Sequence, residues 1–423
     1  MDTQILQKDK FQTLAIHLAC GTKDRIVGIT GQAGTGKTTI MKEVHESFTE
    51  SGHNVVLAAP TGKAAKRISE ATGIEAMTIH RLLEFTHPGD PDPKTGKTTR
   101  ESVPRRTPDN PLAQSVILVD EYSMVNHSLN RHLIDAMNYG CLLRVFGDTN
   151  QLPPIEDYSV GYGVAPPMSP FKTHLKKFPS VTLQNIYRQG EGSDVVKNAH
   201  RILHRMCPQS SPDFLIKLTT QQPKALMPYV EADPEQFRSL DTQIITPTHR
   251  GWIGTRQLNL AIQAVIQSGK YSEGRLMPRN KWDKYELQLY VGDKILWTKN
   301  DYNLMIFNGE TGIVTAFEEY GQVVIDFGDR TISVPPVIQY EDGVGRVHMY
   351  DPRVQLQLAY AITTHASQGS EYDSVFYLMD SYAFMLQDQA NFYTGVTRAR
   401  KKAHVISDVK SFQKAVVTQP RSL

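Results

Sequence analysis

The chain has 423 residues, enough for two to four domains at roughly 100–200 residues each. Lys plus Arg (46) nearly balance Asp plus Glu (44), and the net charge of +2 excludes a polybasic, histone-like binder while leaving room for a locally charged groove. No apolar run approaches the ~20 residues of a membrane helix, MDTQILQKDK lacks an apolar leader core, and Cys20, Cys141 and Cys207 are too scattered for a disulfide framework or a zinc site.

The first 85 residues alternate strand-like and helix-like patterns. Residues 25–30 (RIVGIT) read as a short buried strand. Residues 38–48 place Ile40, Met41, Val44 and Phe48 at helical spacing. A second strand is expected at 54–60 (NVVLAAP), then a helix over 63–71 that stops near Gly73. Such alternation predicts a parallel sheet with helices on both faces. Residues 87–112 break the pattern with Pro88, Pro91, Pro93, Pro104, Pro108 and Pro111, and read as an inserted loop or exposed hairpin. Strands resume at 115–120 (SVILVD) and 141–147 (CLLRVFG), separated by a helix marked by Leu129, Leu133, Ile134 and Met137.

A second alternating region is expected from about Phe171. It takes in a strand at 181–183, a helix over 194–204, a strand at 243–247 and a helix over 255–267. From about 270 to 350 short β-like runs (294–298, 312–317, 323–327, 331–334) are punctuated by glycines, which predicts a small β-barrel. The α/β pattern returns after about 354, with strands at 374–379 and 404–407, so the barrel reads as an insertion.

Residues 31–38 (GQAGTGKT) fit G-x-x-x-x-G-K-[ST] between a strand and a helix, as a phosphate loop requires. Gly31, Ala33, Gly34, Thr35, Gly36, Lys37, Thr38 and Thr39 then surround the nucleotide. The glycines let backbone N–H groups close on phosphates at a helix N-terminus. Lys37 neutralises the β/γ-phosphates and Thr38 offers a hydroxyl to Mg²⁺. Residues 117–124 (ILVDEYSM) deliver two carboxylates at a strand's C-terminal end, Asp120 for Mg²⁺ and Glu121 to orient or deprotonate the attacking water. Gln151 follows another strand and is a candidate γ-phosphate sensor.

Further motifs stand in a fixed order: APTGKAA (59–65), TIHRLL (78–83), GDTNQLPP (147–154), LQNIYRQ (183–189), TPTHRGWIGTRQLN (246–259), TTHASQGSEYDSV (363–375) and YTGVTRARKKAHVI (393–406), with VGDKILWTKNDYNLMIFNGETGIV (291–314) opening the insertion. The set resembles the superfamily 1B DNA helicases, in particular the RecD-like and phage Dda-like group, over nearly the whole chain. The resemblance implies two RecA-like P-loop domains: a first over 1–170 with a pin-like insertion at 86–112, and a second over 171–268 and 353–423. A small SH3-like β-barrel at 269–352 is inserted in the second. It implies ATP and Mg²⁺ between the domains, with Arg188 and Arg398 supplied in trans to stabilise phosphoryl charge. Gln368, Gly369 and Glu371 match the motif that touches the γ-phosphate and ribose, and Gln12 resembles an adenine-reading glutamine.

By the same resemblance Thr61, Thr78 and His80 would face DNA in the first domain and Thr364 and His365 in the second, with Pro153 and Pro154 shaping the adjoining loop. Hydroxyl and imidazole donors suit phosphates and read no bases. Residues 87–112 contain no Phe, Tyr or Trp, so the pin departs from an aromatic-tipped wedge. Trp282, Tyr285, Tyr290, Trp297 and Tyr302 read as barrel core rather than as a stacking platform. The implied activity is ATP-dependent 5′→3′ translocation on single-stranded DNA with duplex separation. The implied partners are single-stranded DNA, single-strand/duplex junctions and replication or recombination proteins such as a single-strand-binding protein. A monomer in the cytoplasm of a bacterial cell or phage-infected host is expected. The rivals are a translocase that strips proteins with little unwinding, a nucleotide-gated DNA-binding switch or scaffold, and a small-substrate P-loop kinase.

Overall fold

The structure is a computed structural model that describes residues 9–86, 102–154, 156, 167–185, 193–269, 274–278, 287–301, 303–341 and 346–419. The chain forms two compact units, residues 1–192 with 421–423, and residues 193–420.

The first unit runs α1 (Lys10–Gly21), β1 (Ile26–Gly31), α2 (Lys37–Glu50), β2 (Val55–Ala59), α3 (Gly62–Thr72), β3 (Ala76–Thr78), α4 (Ile79–Leu82), β4 (Val116–Val119), α5 (His127–Ala136), β5 (Leu142–Gly147), α6 (Pro170–Lys177) and β6 (Ser180–Leu183). Six strands lie in the order β3-β2-β4-β5-β1-β6, and every pairing is parallel. All six residues of β1 are buried, as expected where helices cover both faces of a parallel sheet. One face packs Val44, Phe48, Leu57, Ile68 and Phe146. The other packs Ile117, Val119, Tyr122, Leu133 and Phe171. α3 stops as its sequence predicts, with Gly73 in the left-handed region at φ 74.

The first sheet extends beyond the boundary expected near residue 170. β6 was expected to open the second domain, but it pairs with β1 from Gly28↔Ser180 to Gly31↔Leu183 and closes the first sheet. Short apolar strands carry no mark of which sheet they join; long-range pairing decides it.

The second unit begins with α7 (Asp194–Leu203), β7 (Phe214–Leu218), α8 (Gln222–Ala232), α9 (Pro234–Arg238), β8 (Thr242–Thr246) and α10 (Thr255–Ile266). It ends with β18 (Ala361–Thr363), β19 (Tyr372–Met379), α11 (Gln389–Val396), β20 (Ala399–Ser407) and α12 (Val409–Val417). Its parallel sheet has the order β18-β8-β19-β20-β7. β7 escapes the sequence reading because it is an edge strand whose last two residues are exposed.

Between α10 and β18 lie β9 (Arg275–Met277), β10 (Leu287–Leu289), β11 (Lys294–Trp297), β12 (Thr311–Phe317), β13 (Val323–Asp326), β14 (Thr331–Val334), β15 (Ile338–Glu341), β16 (Val347–Tyr350) and β17 (Leu356–Leu358). Five of these form an antiparallel sheet, β14-β13-β12-β11-β17. β17 lies past the expected boundary at 352 yet pairs with β11, so the insertion draws on residues first assigned to the α/β region. Trp297 and Tyr290 are buried, as the core reading expects; Trp282, Tyr285 and Tyr302 lie outside the described residues.

One apolar core runs from the insertion (Ile295, Trp297, Val314, Ile325) into the α/β layer (Leu258, Ile262, Phe376). A buried polar knot accompanies it. Asp293 accepts hydrogen bonds from Gln263 Nε2 (2.6 Å), Gln267 Nε2 (2.8 Å), Tyr360 Oη (2.8 Å) and the Tyr290 amide (2.9 Å). Burial raises the pKa of this carboxyl, against the opposing pull of the four donors.

Candidate nucleotide site

In the first unit the sheet order brings the chemistry together. β5 lies between β1 and β4, and all three are parallel. Their C-terminal ends therefore open on one edge, where ligands bind in such sheets. β1 leads into the phosphate loop, β4 into Asp120 and Glu121, and β5 into the turn that ends at Gln151.

The loop geometry needs its glycines at particular points. Gly34 (φ 83) and Gly36 (φ 84) are left-handed, and Gly36 is the N-cap of α2 without a side-chain cap bond. The first amides of α2 thus face the loop. A Cβ on Gly31 would strike Thr35 Oγ1 and stand 3.0 Å from Leu183 Cβ. Thr35 Oγ1 donates to the Gln32 carbonyl at 2.9 Å, tying the loop to itself. Lys37 Nζ donates to the carbonyls of Gly31 (2.7 Å) and Gln32 (3.0 Å), so its ammonium lies within the loop it would share with phosphates. Thr39 is exposed and Ala33 half-buried.

Asp120 and Glu121 are both buried. Glu121 sits in the left-handed region at φ 50, a strained conformation for a side chain of its size. Its amide donates to Asp120 Oδ1 at 2.8 Å. Burial, reinforced by the neighbouring Glu121 charge, pushes the Asp120 carboxyl up to about 6, against the pull of Lys37. Glu121 Oε1 meets Arg67 Nη1 at 3.7 Å, while Glu121 Oε2 and Gln151 Oε1 are buried with no hydrogen-bond partner. Unsatisfied acceptors of this kind are expensive unless a ligand or water meets them. Thr38, Ala64, Arg67, Ile68, Asp120 and Glu121 line one recess. Sequence reasoning missed Arg67, because nothing in a helical arginine marks the carboxylate it meets.

The donor set suits Mg²⁺ held jointly with a nucleotide. Thr38 and Asp120 share the recess, and Mg²⁺ sites of this type use one or two protein ligands plus phosphates and water. Among the described residues no three His, Cys, Asp or Glu side chains cluster into an all-protein metal cage.

Gln12 is buried rather than an exposed helix residue. Its Nε2 donates to the Thr35 carbonyl at 3.3 Å, placing α1 against the phosphate loop. The first-unit DNA candidates divide. Thr61 and Thr78 are helix N-caps, accepting from the Ala64 amide (3.2 Å) and the Arg81 amide (3.1 Å). Thr78 is moreover buried, so its hydroxyl serves α4 and does not face outward, against expectation. His80 is half-buried and packs on Phe85, ring centroids 4.8 Å apart. Pro153 and Pro154 are partly exposed. Most of the pin-like insertion lies outside the described residues; its C-terminal part returns through a bridge between Phe85 and Pro104.

In the second unit Arg398 is 2% exposed. Its guanidinium donates to the carbonyls of Thr394 (3.0 Å) and Ser370 (3.3 Å) and to Thr397 Oγ1 (3.4 Å). It is neither a solvated surface arginine nor a free finger. Gln368 is buried, Gly369 is left-handed at φ 72, and Glu371 is half-buried. Thr364 is fully buried, with Oγ1 3.5 Å from the Thr246 carbonyl, and does not face outward as expected. Burial, with His249 nearby, lowers the pKa of His365. His249, which the sequence reading did not single out, has Nδ1 3.0 Å from Thr255 Oγ1. Arg188 lies outside the described residues.

Residues 12–157 match an AAA domain model and residues 358–406 match a UvrD-like helicase C-terminal domain. The chain is 30% identical over 405 residues to an ATP-dependent RecD2 DNA helicase of Deinococcus radiodurans, covering 93% of this chain but only 48% of that protein. It is 29% identical to a RecBCD enzyme subunit RecD of Mycobacterium tuberculosis, covering 92% of this chain and 68% of the relative. The chain thus spans about half the length of the first of these relatives. Its fold matches Bacteroides Pif1 bound to single-stranded DNA (TM-score 0.60, 22% identity, covering 95% of this chain and 92% of that one). It also matches Candida albicans Pif1 (TM-score 0.59, 19% identity, covering 98% and 96%).

Proposed function

We propose that this chain, a relative of the superfamily 1B RecD-like helicases, is an ATP- and Mg²⁺-dependent DNA helicase that moves 5′→3′ on single-stranded DNA. The observation that carries the ATPase reading is the convergence of the phosphate loop, Asp120–Glu121 and Gln151 on one edge of a parallel sheet, with buried acceptors on Glu121 and Gln151 lacking partners. Bound Mg²⁺ would neutralise charge on the phosphates. Thr38 and Asp120 would hold it, and Lys37 would leave the Gly31 and Gln32 carbonyls for the β/γ-phosphates. Glu121 Oε2 would accept a proton from, or orient, the attacking water, and Gln151 would report the γ-phosphate. Arg188 and Arg398 of a second RecA-like domain would complete the charge, and Gln368, Gly369 and Glu371 would contact phosphate and ribose. Gln12 would read the adenine.

For DNA, we assign phosphate contacts to His80, His365 and the loop at Pro153–Pro154. Thr61, Thr78 and Thr364 would contribute once their caps and internal bonds are exchanged on binding. The insertion beyond 269 is read as the small SH3-like barrel, and residues 86–112 as the pin. A second reading, translocation with little unwinding, draws on the lack of any aromatic residue at 87–112.

The test is strand separation on duplexes with a 5′ or a 3′ single-stranded tail, with Lys37→Ala as control. Opening of the 5′-tailed duplex alone is expected. Opening of the 3′-tailed duplex alone rejects the polarity. Single-strand-stimulated ATP hydrolysis with neither duplex opened selects the translocase.

A further inference from the structure

The first unit holds a fully buried arginine that the nucleotide site does not use. Arg144, in the middle of β5, is 0% exposed. Its hydrogen bonds all end on main-chain carbonyls: Nε on Ala19 (2.6 Å), Nη1 on Asp24 (3.0 Å) and Leu143 (3.2 Å), and Nη2 on Thr22 (3.2 Å). Its guanidinium also lies over the Phe48 ring of α2, 5.7 Å from the centroid. The Asp24 charge acts on it from nearby, yet a buried guanidinium whose hydrogen bonds all go to main-chain carbonyls is costly and uncommon.

The acceptors explain the location. Ala19 belongs to the last turn of α1, and Thr22 is its C-cap. The closing carbonyls of a helix have no partner inside it and carry its negative dipole end. α1 has no basic residue in its own last turn. Arg144 supplies that cation from another element, and its fork reaches the helix end and the turn after it together. At the other end of α1, Gln12 donates to the carbonyl of Thr35 in the phosphate loop. α1 is thus held at both ends, at one by Arg144 and at the other by the nucleotide loop.

We infer that Arg144 is a positioning residue for nucleotide recognition: by fixing the C-terminus of α1 against β5, it sets where Gln12 stands beside the phosphate loop. This rests on the ATPase reading above. Arg144 touches no nucleotide and acts through α1. A helix of this length transmits a shift at one end to the other, because its backbone hydrogen bonds move as a unit. The guanidinium matters as a fork, so a lysine, which reaches as a point charge, restores the dipole contact without the simultaneous grip.

The test compares Arg144→Met, Arg144→Lys, Gln12→Ala and the Arg144→Met/Gln12→Ala double variant. Steady-state hydrolysis of ATP and of GTP is read alongside thermal melting. Arg144→Met is expected to raise KM for ATP about threefold to tenfold, the worth of roughly one hydrogen bond. kcat should stay within about twofold and the preference for ATP over GTP should shrink. Gln12→Ala should do the same, the double variant should be no worse than the more affected single, and Arg144→Lys should recover part of the loss. A lowered melting temperature with unchanged KM and base preference, or additive effects of the two single variants, overturns the inference. If Arg144→Met does not fold, Arg144→Lys carries the test, and unchanged KM and selectivity in it are equally decisive. Failure of the wild-type chain to hydrolyse or bind ATP would instead reject the ATPase reading on which this rests.

Discussion

The two units use the same parallel architecture but differ at the polar side chains of their motifs. In the first, Glu121 Oε2 and Gln151 Oε1 are buried without partners, and Glu121 is held at positive φ. In the second, Arg398 spends its donors on Thr394, Ser370 and Thr397, and Thr364 is sealed beneath the sheet edge. The first unit leaves two acceptors beside the phosphate loop open to a ligand, although Lys37 would have to release the Gly31 and Gln32 carbonyls to meet one. In the second, Arg398 is committed to internal hydrogen bonds, which a phosphate-binding role would require it to exchange.

The largest effect should break the first unit's side of this contrast. Lys37→Ala removes the ammonium from the loop and should lower ATP turnover by about 10²–10³-fold or more, in line with loss of one preorganised charge donor; near-normal hydrolysis would sink the nucleotide site. Arg398→Ala tests the other side. Nucleotide affinity should remain within a few-fold while kcat falls, by about 10³-fold if the arginine reaches the phosphates. Normal turnover with a lowered melting temperature would make Arg398 purely structural.

A pH titration sharpens the comparison. Each unit buries one strongly shifted histidine: His174, whose Nε2 lies 2.8 Å from Asn130 Oδ1, and His404, stacked on Phe376 at 4.2 Å. Burial lowers both, helped by Lys177 and Lys402 respectively, to about 4. Because the folded value lies below the unfolded one, the stability is present above about pH 6.5 and is lost as pH falls towards 4. Across that window each shift corresponds to a loss of about 3 kcal/mol. Melting curves should show His404→Gln flattening the loss in that window, and His174→Gln likewise; an unchanged slope in both would refute the burial argument. The smallest effect is Thr61→Ala, about 1 kcal/mol of stability from a lost N-cap. A change in the single-stranded DNA concentration for half-maximal ATPase stimulation, beyond what Thr61→Ser shows, would reveal a DNA contact as well.

Legibility followed the range of the interactions. The phosphate loop was readable because its chemistry needs eight contiguous residues with glycine at fixed points, and the positive φ at Gly34 and Gly36 bears this out. The carboxylate pair was readable because an apolar strand precedes it. Arg67 and Arg144 were not readable, since a charged residue on a helix or in a strand gives no sign of the carboxylate or carbonyls it will meet. Thr78 and Thr364 were read as outward-facing from motif position, yet capping and burial claim their hydroxyls. The strand at 181–183 was seen as a strand and assigned to the wrong sheet.

By itself, the sequence determined the alternation of strands and helices, the phosphate loop, the acidic pair and the short-strand β character of the insertion. These rest on local periodicity, turn chemistry and contiguous motifs. Only the tertiary structure decided that β5 stands between β1 and β4, that β6 and β17 close sheets other than those expected, and that a buried arginine pins α1 beside the loop. The reason is physical: strand partners and buried hydrogen bonds are chosen among residues tens to more than a hundred positions apart, and no local pattern records that choice.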